Sequence, residues 1–217
     1  MKTILQIMCA AVVFLGLASC STPNPMPEQQ SVQSDEPRAT PPDAIESDVA
    51  ELVRGNGAFA LDLYHVLRQE RDNLFYSPYS ISQALAMTYA GAQRETAEQM
   101  SQAVHYTLSQ DRLHPAFNAL DLALASRGKG AQGADGQGFR LHVANTLWGQ
   151  AGFKFLPTFL DTLAVHYGAG LQLVDFSKAP EQARETINNW VSEQTEGRIE
   201  DLIPAGAVDA LTRLVLT

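Results

Sequence analysis

The sequence predicts an α+β fold, helices packed on a large mixed sheet, and three patterns carry that expectation. From Asp48 onward, apolar residues recur at helical spacing through several successive segments. Over residues 139–147 the period changes to two, as one buried face of a strand requires. The closing stretch LTRLVLT holds Leu214, Val215 and Leu216 in one apolar run, which suits a strand covered on both faces. Helices come first and strands then alternate with helices, so a sheet covered by helices follows.

The first helix should contain Val49, Leu52, Val53, Phe59, Ala60, Leu63, Tyr64 and Leu67, with Ser47 or Asp48 as its N-cap. Gly55 and Gly57 weaken its middle. NLFYSP reads as a short strand ended by Pro78, and a helix follows from Ser80 with Ile81, Ala84, Leu85 and Thr88 on one face. ETAEQMSQAVHY and RLHPAFNALDLALA give two more helices, the second tolerating Pro115 near its start. The glycine-rich SRGKGAQGADGQG lacks the Lys-Ser/Thr step of a phosphate loop, since Gly130 follows Lys129, and reads as a mobile surface loop. FRLHVANTLWGQ is a strand, Pro157 opens a helix that Gly168 stops, and LQLVDFS is a second strand. A long amphipathic helix then carries Ala183, Ile187, Trp190 and Val191, with Gly197 near its end.

The 217 residues are 45% apolar and 18% charged, enough for one globular domain. They divide unevenly. Residues 1–19 hold Lys2 and then an apolar run too short for a membrane span, which reads as an export signal. The run closes with LASC, which resembles the lipobox of bacterial lipoproteins and makes Cys20 the lipidation site; an ordinary secretory signal with a chance cysteine is the alternative. Cys9 leaves with the signal, so Cys20 would be the single cysteine of the mature chain and no internal disulfide could form. Removing Lys2 takes the net charge from −9 to −10, which opposes binding to nucleic acid and to anionic headgroups. Membrane attachment is expected only through a lipid anchor.

Residues 20–47 would be the lipidated cysteine and a disordered tether. The stretch 21–47 has six of the eleven prolines, five acidic residues and almost no large apolar side chain. Such a segment cannot offset its ordering entropy by burial and should hold the domain on the order of 30 Å from its anchor. The folded unit would be 48–217.

Catalytic machinery is not assembled by these residues. His65, His105, His114, His142 and His166 fall on separate elements without metal-ligand spacing, so neither metal nor cofactor is expected. No G-x-S-x-G elbow is present, and the mature domain has no cysteine nucleophile. Glu181 with Glu185, and Glu193 with Glu196, read as the solvated face of a helix, and Trp148, Trp190, Phe153 and Phe155 as core.

Several spaced motifs together resemble the serpin family from about Asp48 to Thr217. NLFYSPYSISQALAMTYAGAQRETAEQM carries an N-L-x-x-S-P-x-S pattern, then A-L-A-M and G-A-x-x-x-T; ANTLWGQAGFKF, VDFS and INNWVSEQTEGRIEDLIP follow in the family's order. The resemblance implies the N-terminal part of the serpin fold and a suicide-substrate trap for serine proteases, with cysteine proteases as a second target class. In such a trap a cleaved reactive loop inserts into the large sheet as a new strand. By the same resemblance Ser77 and Ser80 fall in the shutter region beneath the parting strands, although Ser80 could equally cap its helix. LTRLVLT would be the first part of the strand beside which the loop inserts. The C-terminal strands and reactive loop would then be absent from a fragment that does not inhibit on its own. A non-inhibitory serpin-fold surface lipoprotein acting as a binding module is the alternative.

Heparin-binding serpins carry a basic stripe on the helix before the glycine loop. Here Arg112, Arg127 and Lys129 are mixed with Asp111 and Asp121, so no heparin cofactor is expected. Ser21 after the lipidated cysteine, in place of the aspartate that marks retention in the inner membrane, points to the outer membrane or cell surface.

Overall fold

A computed structural model of the chain describes residues 30–69, 73–127, 130, 141 and 143–217. The export signal 1–19, Cys20, most of the glycine-rich loop and His142 lie outside the described residues. The elements are β1 (Gln30–Val32), α1 (Glu46–Leu67), α2 (Pro78–Tyr89), α3 (Arg94–Ala103), α4 (Gln110–Arg127), β2 (Leu147–Gln150), α5 (Pro157–Tyr167), β3 (Leu171–Val174), α6 (Pro180–Gln194) and β4 (Leu214–Leu216).

The sheet runs β1-β3-β2-β4. β2 and β3 are parallel, joined by the crossover helix α5, while β1 and β4 are antiparallel to their neighbours. Alternation along β2 sends Leu147 to one face and Trp148 to the other, and both are fully buried. On Leu147's face, Leu171, Phe117, Leu163, Met87 and Leu52 form the larger core with α1, α2, α4 and α5. On Trp148's face, Val174, Phe176, Ala183, Ile187 and Val191 form a smaller core under α6. A sheet covered on both faces is what the continuous apolar run at 214–216 demands.

Helix ends follow local chemistry. Pro78 opens α2 and Pro157 opens α5, where a missing N–H costs nothing. α5 ends at Gly168, whose φ of 60° is left-handed. Gly55, expected to weaken α1, is there for contact: a Cβ at this position would stand 2.4 Å from the His105 carbonyl oxygen. The helix accepts its entropic cost of about 1 kcal/mol in return for close packing against the end of α3.

Expectations of four kinds are corrected. α1 begins at Glu46 after Ile45, so neither Ser47 nor Asp48 caps it; Asp48 is buried inside the helix and is held by Arg112 of α4. On α1, Val53 and Tyr64 are exposed instead of buried, and so is Phe153 after β2, which was expected in the core. NLFYSP forms no strand, because residues 73–77 find no ladder partner among the described residues, and Phe75 is 97% exposed; of FRLHVANTLWGQ, only Leu147–Gln150 is strand among the described residues.

The fourth correction concerns the tether. Within 20–47, residues 30–47 are not a free leash but lie as a strap along the body. β1 pairs Gln30 with Leu173 and Val32 with Leu171 on the edge of the sheet. The Ala39 N–H donates to the Val165 carbonyl at 2.9 Å, and Arg38 donates to Asn118 at 2.8 Å and to Asp121 at 2.6 Å. Polar contacts do most of the seating, with Val32 as the strap's one apolar side chain packed on the larger core.

Candidate functional site

The two motif serines expected at a shutter sit at the start of α2. Ser77 is the N-cap: its Oγ accepts from the Ser80 N–H at 3.2 Å and donates to the Ser80 Oγ at 3.0 Å. Ser80 therefore does not cap the helix. Among the described residues neither serine hydrogen-bonds a strand of the sheet.

The link from α2 to the sheet is made instead by Gln83, which sequence reasoning missed. Gln83 accepts from the Asn145 amide at 2.6 Å, just ahead of β2, and donates to Asp121 of α4 at 3.3 Å. Tyr79 and Arg38 also reach Asp121, at 3.4 and 2.6 Å. Burial, then Asp121, push the Tyr79 phenol far above its usual range, so it stays a neutral donor. Gln83 is 5% exposed, and only a polar residue on the apolar face of an amphipathic helix could have flagged it. Ser82, one position earlier, is fully buried between Asn56 at 2.7 Å and Tyr106.

Beyond β2, β4 forms the far edge. Leu214, Val215 and Leu216 pair with Gly149, Trp148 and Leu147, and Thr146 and Thr217 exchange both backbone bonds. The Trp148 indole donates to the Thr217 hydroxyl at 3.0 Å and stands edge-on to Trp190 of α6. On its outer side β4 has no strand partner among the described residues. A strand bonded on one side, with half-buried side chains, can accept another strand through main-chain bonds.

Behind this edge, Gln150 ties β2 to the turn after β3. Its side chain donates to Asp175 at 3.0 Å and accepts from the Ser177 N–H at 3.0 Å. Hydrogen bonds from Ser177 and Gln150 bring the Asp175 carboxyl down to about 2. On the outer face of α6, Asn188 clamps the loop before β4 by giving and taking bonds with Ile203.

None of this forms an acid–base or nucleophilic centre. His105 meets Asp62 at 2.7 Å on the surface, and Glu181 is held by Arg184 at 2.6 Å. Glu185 lines a polar depression with Arg184, Asn188, Asn189, Ser192, Glu200 and Asp201. Among the described residues no three His, Cys, Asp or Glu side chains gather as a metal site, and no helix is long and apolar enough to cross a membrane. The arrangement is mechanical: two packed faces, one edge strapped and one with no strand partner among the described residues.

Comparison with known proteins gives this arrangement a family context. The family model described as serpin (serine protease inhibitor) matches residues 54–217. Leukocyte elastase inhibitor A of Rattus norvegicus is 41% identical over 168 residues, covering 76% of this chain and 42% of the relative. Antithrombin-III of Mus musculus is 39% identical over 197 residues, 88% of this chain and 41% of the relative. Among solved structures, a cleaved serpin 42Da superposes with a TM-score of 0.65 at 30% identity, over 77% of this chain and 43% of that one. A serpin of Arabidopsis in its native stressed conformation shares the fold, with a TM-score of 0.62 at 24% identity. The chain thus spans about two-fifths of the length of the relatives it matches.

Proposed function

Since the chain belongs to the serpin family, we propose that it forms the N-terminal part of a suicide-substrate trap for serine proteases, with cysteine proteases as a second target class. The observation that supports this most is the β3-β2-β4 unit under α6, whose outer edge on β4 is bonded on one side only among the described residues. In this reading a cleaved reactive loop, supplied by sequence outside this chain, adds to β4 as a new strand. Ladder hydrogen bonds and buried area on insertion supply the free energy that distorts the captured protease. The relatives' names include an elastase inhibitor, which makes an elastase-type serine protease the first target to try. In this reading the protein that carries this chain acts as an inhibitor and not as an enzyme, as its family does.

In the same reading Ser77 and Ser80 keep their shutter role indirectly. Ser77 caps α2 by accepting from the Ser80 N–H, and so fixes the helix from which Gln83 reaches Asn145 beside β2. Heparin is not part of the reading: Arg112, the first cation of α4, is committed to Asp48.

Attachment is the second part of the proposal. Residues 1–19 act as a bacterial lipoprotein signal, and Cys20 takes the diacylglycerol. The support is the L-A-S-C run and Cys20's standing as the only cysteine after the signal. Ser21 favours the outer membrane or cell surface. Radiolabelled palmitate should enter the wild-type protein and not Cys20→Ala; equal labelling of both, or of neither, would contradict the anchor.

The inhibitory reading is tested with the product of the complete reading frame that carries this chain. Incubated with elastase-, trypsin- and chymotrypsin-type proteases, it should form a complex that survives boiling in sodium dodecyl sulfate. Quantitative cleavage with no stable complex in any case would make it a substrate and end the proposal.

A further inference from the structure

His114, buried, and His166, half-buried, face each other where α4 meets α5, and the trap described above makes no use of them. The rings of His114 and His166 are nearly parallel, 21° apart, with centroids 6.2 Å from one another. His114 is 4% exposed. Its Nδ1 meets the Tyr167 hydroxyl at 2.7 Å, and its ring packs edge-on against Tyr167 and tilted against Tyr89 of α2. The His114 Nε2 and the His166 Nδ1 are buried without any hydrogen-bond partner. Two orphaned ring nitrogens in one apolar seam are an expense that a hydrophobic pair would not carry.

The N-terminal strap runs over this seam. Its Ala39 is gripped from both helices, the N–H by the carbonyl of Val165 next to His166, the carbonyl by the Asn118 amide one turn from His114. Arg38 passes over Gly168, where a Cβ would stand 2.8 Å from its Cδ, and ends on Asn118 and Asp121. Ser34 donates to Asp161 of α5, and β1 closes the edge of β3. The strap therefore stays seated only while α4 and α5 keep their spacing.

We propose that His114 and His166 form an acid-sensitive latch: neutral, they hold α4 and α5 together under the strap; protonated, they part the seam, release residues 30–47 and expose the outer edge of β3. The chemistry at each atom gives the direction. In either tautomer of the neutral ring a second proton makes both nitrogens donors: the Nδ1–H can meet only the Tyr167 oxygen, and the Nε2–H is buried with no acceptor. A second cation on His166 then adds like-charge repulsion across the stacked rings.

The surroundings oppose the charge more than they support it. Burial first and His166 second bring His114 down to about 4. His166 is also lowered by burial, with Asp43 of the strap pulling the other way. Tyr89 of α2 packs its ring against His114, and burial pushes the phenols of Tyr167 of α5 and of Tyr106 beyond it above their usual range. Farther along α4, Arg112 is occupied by Asp48 of α1 and Asp121 by Arg38, so neither carboxylate is free to compensate.

The sign follows. A histidine of folded pKa about 4 and unfolded value 6.5 leaves the closed seam fully stable above pH 6.5 and progressively weaker down to pH 4. At pH 5 that displacement multiplies the opening constant by about 30 for His114 alone.

Amide hydrogen exchange of the full chain, corrected for intrinsic rates, reads this directly and does not depend on protease inhibition. Between pH 7.5 and 5, Ala39 and the β1–β3 amides should lose about 30-fold of their protection, while the β2–β4 and α6 amides hold theirs. Uniform loss across the molecule, or no loss at Ala39, would overturn the latch. His114→Phe should abolish most of the pH dependence at Ala39; an unchanged dependence would refute the assignment. Should that variant misfold, the imidazole NMR titration of the wild-type chain decides: a His114 midpoint near 4 supports the latch and one near 6.5 removes it.

Discussion

The sheet has two edges that the sequence treats in opposite ways. At β3 the edge is closed by three residues of a proline-rich, acidic segment held by Arg38, Ala39 and Ser34. At β4 the edge is an apolar run backed by Trp148 and α6, with its outer side unpaired among the described residues. An unpaired edge invites another strand, and proteins usually blunt such edges. One edge here is covered by a strap seated largely through polar contacts, and the other is apolar with no strand partner among the described residues. On the proposed reading, strand addition belongs to β4 and reversible docking to β3.

The largest effect should come from the apolar edge. Trp148→Ala removes a fully buried ring that touches Trp190 and bonds Thr217, and should destabilise the chain by about 3–5 kcal/mol. Urea denaturation with exchange at the β2–β4 amides measures it. A cost below about 1 kcal/mol would mean that β4 is not held by this core.

Acid should act first on the other edge. For His114, with its folded value depressed to about 4, stability is complete above pH 6.5 and falls by about 3 kcal/mol on the way to pH 4. Asp175, brought down to about 2 by Ser177 and Gln150, resists this range and loses its contribution only at lower pH. Melting temperature followed from pH 7.5 to 3 should therefore drop in the histidine window before the carboxylate one. A flat profile down to pH 4 would contradict the burial of His114.

Arg38→Ala sharpens the comparison further. It removes the bonds to Asn118 and Asp121 and should cost about 1–3 kcal/mol, read as faster exchange at Ala39 and β1 with β4 unchanged. Equal acceleration at both edges would show that the strap is not a separate unit. The smallest effect is expected from Ser77→Ala, about 1 kcal/mol through loss of the α2 cap. Thermal melting measures it, and Ser80→Ala should cost less because the Ser80 N–H, not its hydroxyl, makes the capping bond.

The fold was largely legible because its signals are periodic. Helical spacing placed all six helices, and the glycine stop at Gly168 and the proline starts marked ends where backbone chemistry is local. Residues 73–77 were misread because their apolar character was taken for pairing, and a strand exists only when another strand accepts its bonds. The strap was missed for the converse reason. Its seat depends on main-chain bonds and one arginine, and the usable hint was Arg38 as the lone cation of an acidic stretch. Asp48 looked like a cap because Asp commonly is one; only the fold brings Arg112 to it, 64 positions away. Of the mechanical site, the motif serines were visible, whereas Gln83, Asn145 and Asp121 meet through the fold alone.

The most direct test of strand addition is exchange at the amides of Leu214 and Leu216 in the protein that carries this chain, before and after a protease cuts its reactive loop. The account predicts at least about a 100-fold gain in protection at β4, because the side of this strand away from β2 gains the ladder bonds of the inserted loop, with β1 and β3 unaffected. Unchanged protection at β4 after cleavage would contradict it.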